Sequence, residues 1–177
     1  MAKNLFTREF YREVYKLIDQ RLSDDYNPTA EYCDENVYVC IEDDDRFSEA
    51  DDVIEVEADV CTYNEFQDES FDHAFGTWHD PCPYWKYCGI EGVGDIRVIV
   101  NGKEVQGYNR DDFYRAFQVA EHHGFKAGDT VRFRNGGIAE TTGTLLYYDE
   151  LTGSYRVKAG DKEIAVYNIK PAASNEG

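Results

Sequence analysis

The sequence lacks several features that would place it in a common class of protein. No run of about 18 apolar residues occurs, so we expect no transmembrane helix. The start, Met1-Ala2-Lys3-Asn4, has no apolar signal region, so we expect no secretion and a cytoplasmic location. Basic side chains are scarce: 18 Lys and Arg stand against 36 Asp and Glu, for a net charge of -18. That charge argues against direct binding to nucleic acid or to an anionic membrane.

Motifs of common enzyme classes are missing as well. The sequence contains neither a Gly-x-Ser-x-Gly nucleophile elbow nor a Walker-type Gly-Lys-Ser/Thr loop. The stretch Gly89-x-x-Gly92-x-Gly94 is rich in glycine, but it leads into a predicted strand. A phosphate site would need a helix N-terminus at that point. We therefore expect that the protein is not an enzyme.

The acidic side chains are concentrated in one block of a chain that is otherwise typical of a folded protein. Apolar residues make up 42% of the 177 residues and aromatic residues 15%, which is too many for a disordered chain. Residues 23–95 hold 22 acidic and two basic side chains, whereas residues 1–22 carry a net charge of +2 and residues 96–177 carry none. Solubility needs a net charge of only about 2 to 8 in magnitude. Because concentrated like charges repel one another, we expect this block to meet a basic partner.

Two segments have the pattern of amphipathic helices. Apolar residues recur at helical spacing between residues 5 and 22. A second helix is predicted from about residue 110 to residue 123, because Asn109 is a favourable N-cap. This interpretation places His122 and His123 in the last turn of the second helix.

Strands are predicted where β-branched and aromatic residues accumulate or alternate with polar ones. Asn101-Gly102 is the strongest hairpin signal in the chain. Residues 64–95 are rich in aromatic side chains without a clear period, so we expect them to be irregular. The predicted strands of this part cover residues 36–42, 52–63, 95–100 and 103–105. The fold class is therefore α+β, with an antiparallel sheet covered by two helices.

Residues 125–172 have a different pattern, in which short strands are separated by glycine turns. Strands are predicted over 130–134, 141–148, 154–159 and 162–168. The segment resembles an SH3-like barrel of the KOW or Tudor kind. The matching motifs are Gly128-Asp129-x-Val131-x-Phe133, then Asp149-x-x-Thr152-Gly153 before Tyr155-Arg156-Val157, and Val166-x-x-Ile169-x-Pro171. The resemblance implies a module that binds peptides, RNA or proteins, or packs as an accessory, and it assigns no ligand residue.

These patterns predict two domains and a tail. The acidic α+β domain is expected to span residues 1–124, and the SH3-like barrel residues 125–172. Residues 173–177 are expected to be a frayed tail.

Four side chains between the predicted strands have the ligand types of a structural zinc site. Zinc accepts two histidines and two cysteines in a tetrahedral arrangement. The spacing is not that of a standard finger, so packing among aromatic residues is the alternative interpretation. With five cysteines and no secretion signal, a disulfide framework is not expected. The candidate zinc ligands are His73, His79, Cys82 and Cys88.

Residues 52–63 alternate between apolar and acidic side chains, which predicts a half-buried strand. Ile54, Val56, Ala58 and Val60 are expected to point into the core. Glu55, Glu57 and Asp59, called here the acidic row, are expected to be exposed and about 6.6 Å apart. DNA carries one phosphate per about 3.4 Å of axis on each strand, so the two spacings are of the same order.

The acidic row and its neighbours are therefore candidates for binding a basic, nucleic-acid-binding protein. In size and acidity the chain resembles the DNA-mimic inhibitors that phages and plasmids use against restriction or CRISPR systems. The alternative hypothesis is a small cytoplasmic protein-binding adaptor, stapled by the zinc site. The candidate partner-binding residues are Asp43, Asp44, Asp45, Asp51, Asp52, Glu55, Glu57, Asp59, Asp68 and Glu69.

Overall fold

The computed structural model describes the chain except for residues 1–3, 43, 45, 48–51, 68–70, 73–76, 79–82, 138 and 173–177. The chain forms two compact units, Met1–Phe113 and Tyr114–Gly177, which divide earlier than the expected boundary after residue 124. The elements, in chain order, are α1 (Arg8–Asp25), β1 (Tyr32–Glu42), β2 (Val53–Gln67), β3 (Phe71–Asp72), β4 (Thr77–Trp78), β5 (Tyr84–Val100), β6 (Lys103–Val105), α2 (Arg110–Arg115), β7 (Gln118–Val119), β8 (Glu121–His122), β9 (Phe125–Lys126), β10 (Thr130–Phe133), β11 (Thr141–Asp149), β12 (Ser154–Ala159), β13 (Lys162–Val166) and β14 (Lys170–Pro171).

The first unit contains a four-stranded antiparallel sheet in the order β1-β2-β5-β6. The short strands β3 and β4 pair with each other. Mostly antiparallel sheet with two helices is the α+β class that the sequence predicts. The hairpin between β5 and β6 turns at Asn101 and Gly102, whose φ angles of 49° and 77° suit the predicted two-residue turn.

Strand β2 confirms the predicted alternation. Ile54, Val56 and Ala58 are completely buried, and Val60 is 3% exposed. The intervening acidic row lies on the opposite face, where its side chains are partly or fully exposed. The sheet therefore has an apolar inner face and an acidic outer face.

Helix α1 covers the inner face and contacts β1 and β5. Its N-cap is Thr7, whose hydroxyl accepts a hydrogen bond from the N–H of Phe10, and the helix continues to Asp25. The helix thus covers most of the predicted span 5–22 and extends beyond it. Its buried side chains are Phe10, Tyr11, Val14, Ile18 and Leu22. No helix in the described part of the chain is long and apolar enough to cross a membrane.

The prediction of irregular structure over residues 64–95 was wrong at both ends, because residues 64–67 continue β2 and residues 84–95 belong to β5. Strand β5 pairs with β2 along its length, from Tyr84 to Val100, but its register shifts at three places. At each shift β5 contributes one extra residue, as at Gly94 and Asp95, which together oppose Asp59. These irregularities interrupt the period of two from which a strand is recognised in a sequence.

Helix α2 is shorter than predicted. The predicted cap is confirmed, because Oδ1 of Asn109 accepts hydrogen bonds from the N–H groups of Asp111 and Asp112. The helix ends at Arg115, and Gln118–Val119 pairs with β11 instead. The predicted continuation to residue 123 is therefore wrong.

A hairpin replaces the predicted end of this helix. Strands β8 and β9 pair with each other, with His122 opposite Phe125. Between them His123 and Gly124 have φ angles of 49° and 81°, as a two-residue hairpin turn requires. The predicted place of His122 and His123 in a helical turn is therefore wrong, because strand pairing overrides local helix propensity here.

The second unit is built on an antiparallel sheet with the order β13-β12-β11-β10-β14, and β7 also pairs with β11. Strands β10 to β13 correspond to the four predicted strands of this segment. Their inward side chains form a core of Val131, Phe133, Leu145, Tyr155, Val157 and Val166.

The sheet of the second unit leaves no room for a side chain at Gly143. A Cβ there would lie 2.5 Å from Cγ1 of Val157 and 2.7 Å from the backbone oxygen of Lys158. We expect Gly143→Ala to lower the free energy of unfolding by about 1 to 3 kcal/mol, because this backbone contact must shift. Urea denaturation measures the change. Gly137→Ala is the control, since a Cβ there would meet only the Asn135 oxygen at 4.0 Å. Equal stability of the two variants would contradict the packing described.

Candidate functional site

The acidic row lies between β1 and β5 on the outer face of the first sheet. In the β1–β2 ladder Cys40 is opposite Glu55, Tyr38 is opposite Glu57 and Asn36 is opposite Asp59. Directly opposed residues of an antiparallel pair project from the same face. The sheet therefore brings uncharged polar side chains of β1 next to the carboxylates of β2.

Two carboxylates of the row are held by neutral donors. The hydroxyl of Tyr38 donates a hydrogen bond to Oε1 of Glu55, and Nδ2 of Asn36 donates to Oδ1 of Asp59 at 2.9 Å. The thiol of Cys40 donates to the Tyr38 oxygen at 3.1 Å. Hydrogen bonds with Cys40 and then Glu55 raise the pKa of Tyr38 above its usual range, so the hydroxyl remains a donor at neutral pH. These contacts orient Glu55 and Asp59 without cancelling their charge.

The third carboxylate of the row, Glu57, is bound by a cation. Arg97 on β5 donates from Nη1 to Oε2 of Glu57 at 3.1 Å and from Nε to Oε2 of Glu104 at 2.9 Å. The hydrogen bond with Arg97, and a second one with Gln106, lower the pKa of Glu104 below its ordinary value. Arg97 therefore offsets part of the negative potential at Glu57, which distinguishes this carboxylate from Glu55 and Asp59.

The other predicted partner-binding residues fall into two groups. Asp44 accepts hydrogen bonds from Nε and Nη2 of Arg46, which lower its pKa, and Asp52 accepts one from Nδ2 of Asn101 at 2.6 Å. These contacts do not bring Asp44 or Asp52 next to the acidic row. The remaining predicted residues lie outside the described residues: Asp43, Asp45, Asp51, Asp68 and Glu69.

The predicted zinc ligands lie largely outside the described residues too. This applies to His73, His79 and Cys82. Cys88 is described: it is exposed, and its thiol donates to the backbone oxygen of Lys86 at 3.4 Å. Within the described ranges, no three His, Cys, Asp or Glu side chains are grouped so that they could hold a metal ion. The zinc site stays a prediction.

Sequence reasoning missed the side chains that organise the acidic row, namely Asn36, Tyr38, Arg97 and Glu104. One signal was present, because polar residues at 36, 38 and 40 alternate with the apolar residues at 37, 39 and 41. That alternation predicts which face Asn36 and Tyr38 occupy. Their partners depend on the register between strands, which the pattern within one strand does not contain.

The second unit has a small concave site that the sequence did not indicate. His122 stacks on Tyr148, with ring centroids 3.5 Å apart and an angle of 5° between the planes. The cavity beside them has a volume of about 280 Å³ and is also lined by Tyr155, Tyr167 and Asn168. Burial, and then the proximity of His123, lower the pKa of His122, so its ring binds a proton less readily than an unperturbed histidine does.

Comparisons with protein-family models, with curated proteins and with solved structures found no match for this chain. The function must therefore be inferred from the geometry of the two units. Of the two surfaces described above, the outer face of the first sheet carries the larger number of charged groups.

Removing Arg97 tests the arrangement around Glu104. In Arg97→Gln we expect the pKa of Glu104 to rise, since the Arg97 hydrogen bond is the main cause of its low value. In the wild type this carboxylate adds stability above the ordinary glutamate pKa of about 4.3, and the contribution is lost as pH falls through the lower folded pKa. Carbon-detected NMR titration measures the pKa. Lys103→Gln, which removes a cation from the same hairpin, should leave it unchanged; equal rises would contradict the contact.

Protonation of His122 should destabilise the second unit. Because its folded pKa is lowered, the unfolded chain binds the proton more readily, so stability is full above the ordinary histidine pKa of about 6.5 and falls as the pH drops below it. In His122→Phe, which keeps an aromatic ring on Tyr148, this loss should be smaller. Thermal unfolding at pH 7.5 and pH 5.5 tests the expectation. An equal pH effect in both proteins would contradict it.

Proposed function

We propose that the protein is a non-enzymatic acidic inhibitor, which binds a basic, nucleic-acid-binding protein and competes with DNA for it. The observation that carries the proposal is that Glu55 and Asp59 are held in fixed orientations without being neutralised. Both project from a strand that is paired on each side, and both are oriented by the neutral donors Tyr38 and Asn36. Charges that are fixed before binding lose less conformational freedom when a partner meets them.

The spacing of the acidic row supports imitation of a phosphate backbone. Alternate residues of a strand are about 6.6 Å apart, and Glu55 and Asp59 are separated by two such steps. These two carboxylates are thus about 13 Å apart, close to the axial rise over four successive phosphate steps of one DNA strand at about 3.4 Å each. The remaining acidic side chains of residues 23–95 extend the negative potential and favour fast, salt-sensitive association.

Aromatic side chains on the same sheet support a protein partner in particular. Tyr38 is 46% exposed beside Glu55, and Tyr32 is 54% exposed near the other end of the face, where its ring lies 5.6 Å from that of Tyr63. Tyrosine is enriched among the residues that contribute most to protein–protein binding. An interface on this face would therefore combine charge with aromatic contacts.

The partner class that fits these features is a DNA-binding or defence enzyme of the restriction or CRISPR type, met in the cytoplasm of a host by a phage or plasmid protein. The second unit is proposed to be an SH3-like module, on the basis of its sequence motifs and its short antiparallel strands around one core. An acidic protein-binding adaptor is the alternative, and it differs in one respect: its partner need not bind DNA.

Reversing the charge of the acidic row tests the proposal. Wild-type protein is immobilised, host lysate is applied at low salt, and retained proteins are eluted with duplex DNA and identified. Changing Glu55, Glu57 and Asp59 to Lys should abolish retention of the DNA-eluted proteins. Like charges that face each other across an interface raise the free energy of binding by about 2 kcal/mol or more. The fold should persist, since these side chains lie on the outer face.

The matched control reverses three exposed carboxylates of the second unit, Glu121, Asp161 and Glu163. It carries the same net charge as the acidic-row variant and should retain the partner as the wild type does. Retention by the acidic-row variant, or partners that bind DNA and this protein at the same time, would refute the proposed function. Loss of retention in both variants would mean that net charge alone is responsible.

A further inference from the structure

The outer face of the first sheet is not flat, because β5 is irregular opposite the acidic row. Gly94 and Asp95 together oppose Asp59, which makes a bulge in the middle of the strand. Bulges bend a strand and redirect its side chains, and they are frequent beside functional sites. At Gly94 the bulge also has no side chain, so the backbone itself forms the surface.

The segment after β6 forms a second wall beside this bulge. The hydroxyl of Tyr108 donates a hydrogen bond to the backbone oxygen of Gly94 at 2.7 Å. Gln106 lies in the same segment and donates from Nε2 to Oε1 of Glu104 at 2.8 Å. The bulged part of β5 is therefore the floor of a groove, with the acidic row on one side and residues 104–108 on the other.

Two adjoining depressions follow this groove along β5. The first has a volume of about 390 Å³ and is lined by Glu57, Asp95 and Glu104 among others. The second has a volume of about 440 Å³, extends over Gly92 to Gly94, and is lined by the acidic Asp34 and Glu35 as well as by Arg110. Asn36 and Asp59 line both depressions, so their hydrogen-bonded pair stands between the two.

The chain already places one guanidinium in the first depression. Arg97 contributes to the lining there, and its Nε and Nη1 atoms donate to two different carboxylates. Carboxylates that face one groove from two strands match the several N–H groups of a guanidinium better than the single point charge of an ammonium. Asp59 and Asp95 supply further carboxylates to the same depression.

We propose that this groove binds an extended, arginine-rich segment of the partner protein, a proposal that rests on the proposed function. Side chains two residues apart on an extended chain are about 6.6 Å apart on one side, so an Arg-x-Arg sequence can direct its guanidinium groups into adjoining depressions. Because Gly92 and Gly94 have no side chains, the backbone of the bound segment can approach β5 closely. The acidic row thus supplies one wall of the site, and the bulge of β5 determines its shape.

The groove can be filled without changing its charge. A Cβ at Gly94 would contact the Asp59 backbone oxygen at 3.4 Å, an ordinary van der Waals distance, and the backbone there is not in the left-handed region. Gly94→Val therefore narrows the floor at a position where an added Cβ makes no close contact. Gln106→Trp narrows the groove from the other wall, and because it also removes the hydrogen bond to Glu104 it is interpreted together with Gly94→Val. Gly137→Val in the second unit is the control, because a Cβ there has space around it.

The probe is a synthetic peptide of four Arg-Gly repeats, compared with the same peptide made from Lys-Gly repeats, on the full chain at physiological salt. Fluorescence anisotropy gives the affinity, and amide chemical shifts locate the peptide. We expect the arginine peptide to bind several-fold more tightly, with shifts concentrated in residues 92–97 and 104–108. We expect Gly94→Val and Gln106→Trp each to weaken it by about tenfold or more, and Gly137→Val by less than about twofold.

Peptide affinity that both filled variants retain, or shifts spread evenly over all acidic segments, would overturn the groove. The same holds if the lysine peptide binds as tightly as the arginine peptide. These results would not affect the charge-reversal experiment, which tests competition with DNA and not shape. If instead the acidic-row variant retains its partner in the lysate while the filled variants lose the peptide, the proposed function fails and the groove remains as a binding site for basic peptides.

Discussion

The pairing of β2 on both sides is the constraint on which the first unit depends. Its backbone is hydrogen-bonded to β1 and to β5, so a shift by one residue would break two ladders at once. Such a shift would also move Ile54, Val56 and Ala58 to solvent and bring the acidic row under α1, where charged groups are costly to bury. The same alternation therefore holds the core together and fixes the carboxylates on the outer face.

On this face, most of the carboxylates of the acidic row are oriented without being neutralised. Glu55 and Asp59 are oriented by Tyr38 and Asn36, which are uncharged, and only Glu57 is bound by a cation. An ion pair at each position would also orient the carboxylates, but it would weaken the negative field on which the proposed binding of a basic partner depends. Repulsion among the remaining charges destabilises this unit, and the burial of apolar side chains between its sheet and helix offsets that effect.

The sequence predicts those parts in which side chains follow one period within one segment. This holds for α1, for β2 and for the Asn101-Gly102 turn, each of which has a local signal. It fails for β5, where three register shifts interrupt the alternation, and for residues 118–126, where strand pairing replaces the expected helix. The site divides in the same way: the acidic row follows from one strand, whereas Arg97 and Tyr108 reach it through contacts between strands.

The irregularity that hides β5 in the sequence is also what shapes the outer face. A strand with perfect alternation beside β2 would place a side chain at each outward position, and the acidic outer surface would then be flat. At the bulge, one of the two residues opposite Asp59 is Gly94, which has no side chain, and its backbone oxygen accepts a hydrogen bond from Tyr108. A flat surface of this charge attracts any basic protein, whereas a groove excludes those whose basic side chains cannot enter it. Under the proposal, charge supplies the attraction to a basic partner, and the break in the strand pattern supplies the selectivity.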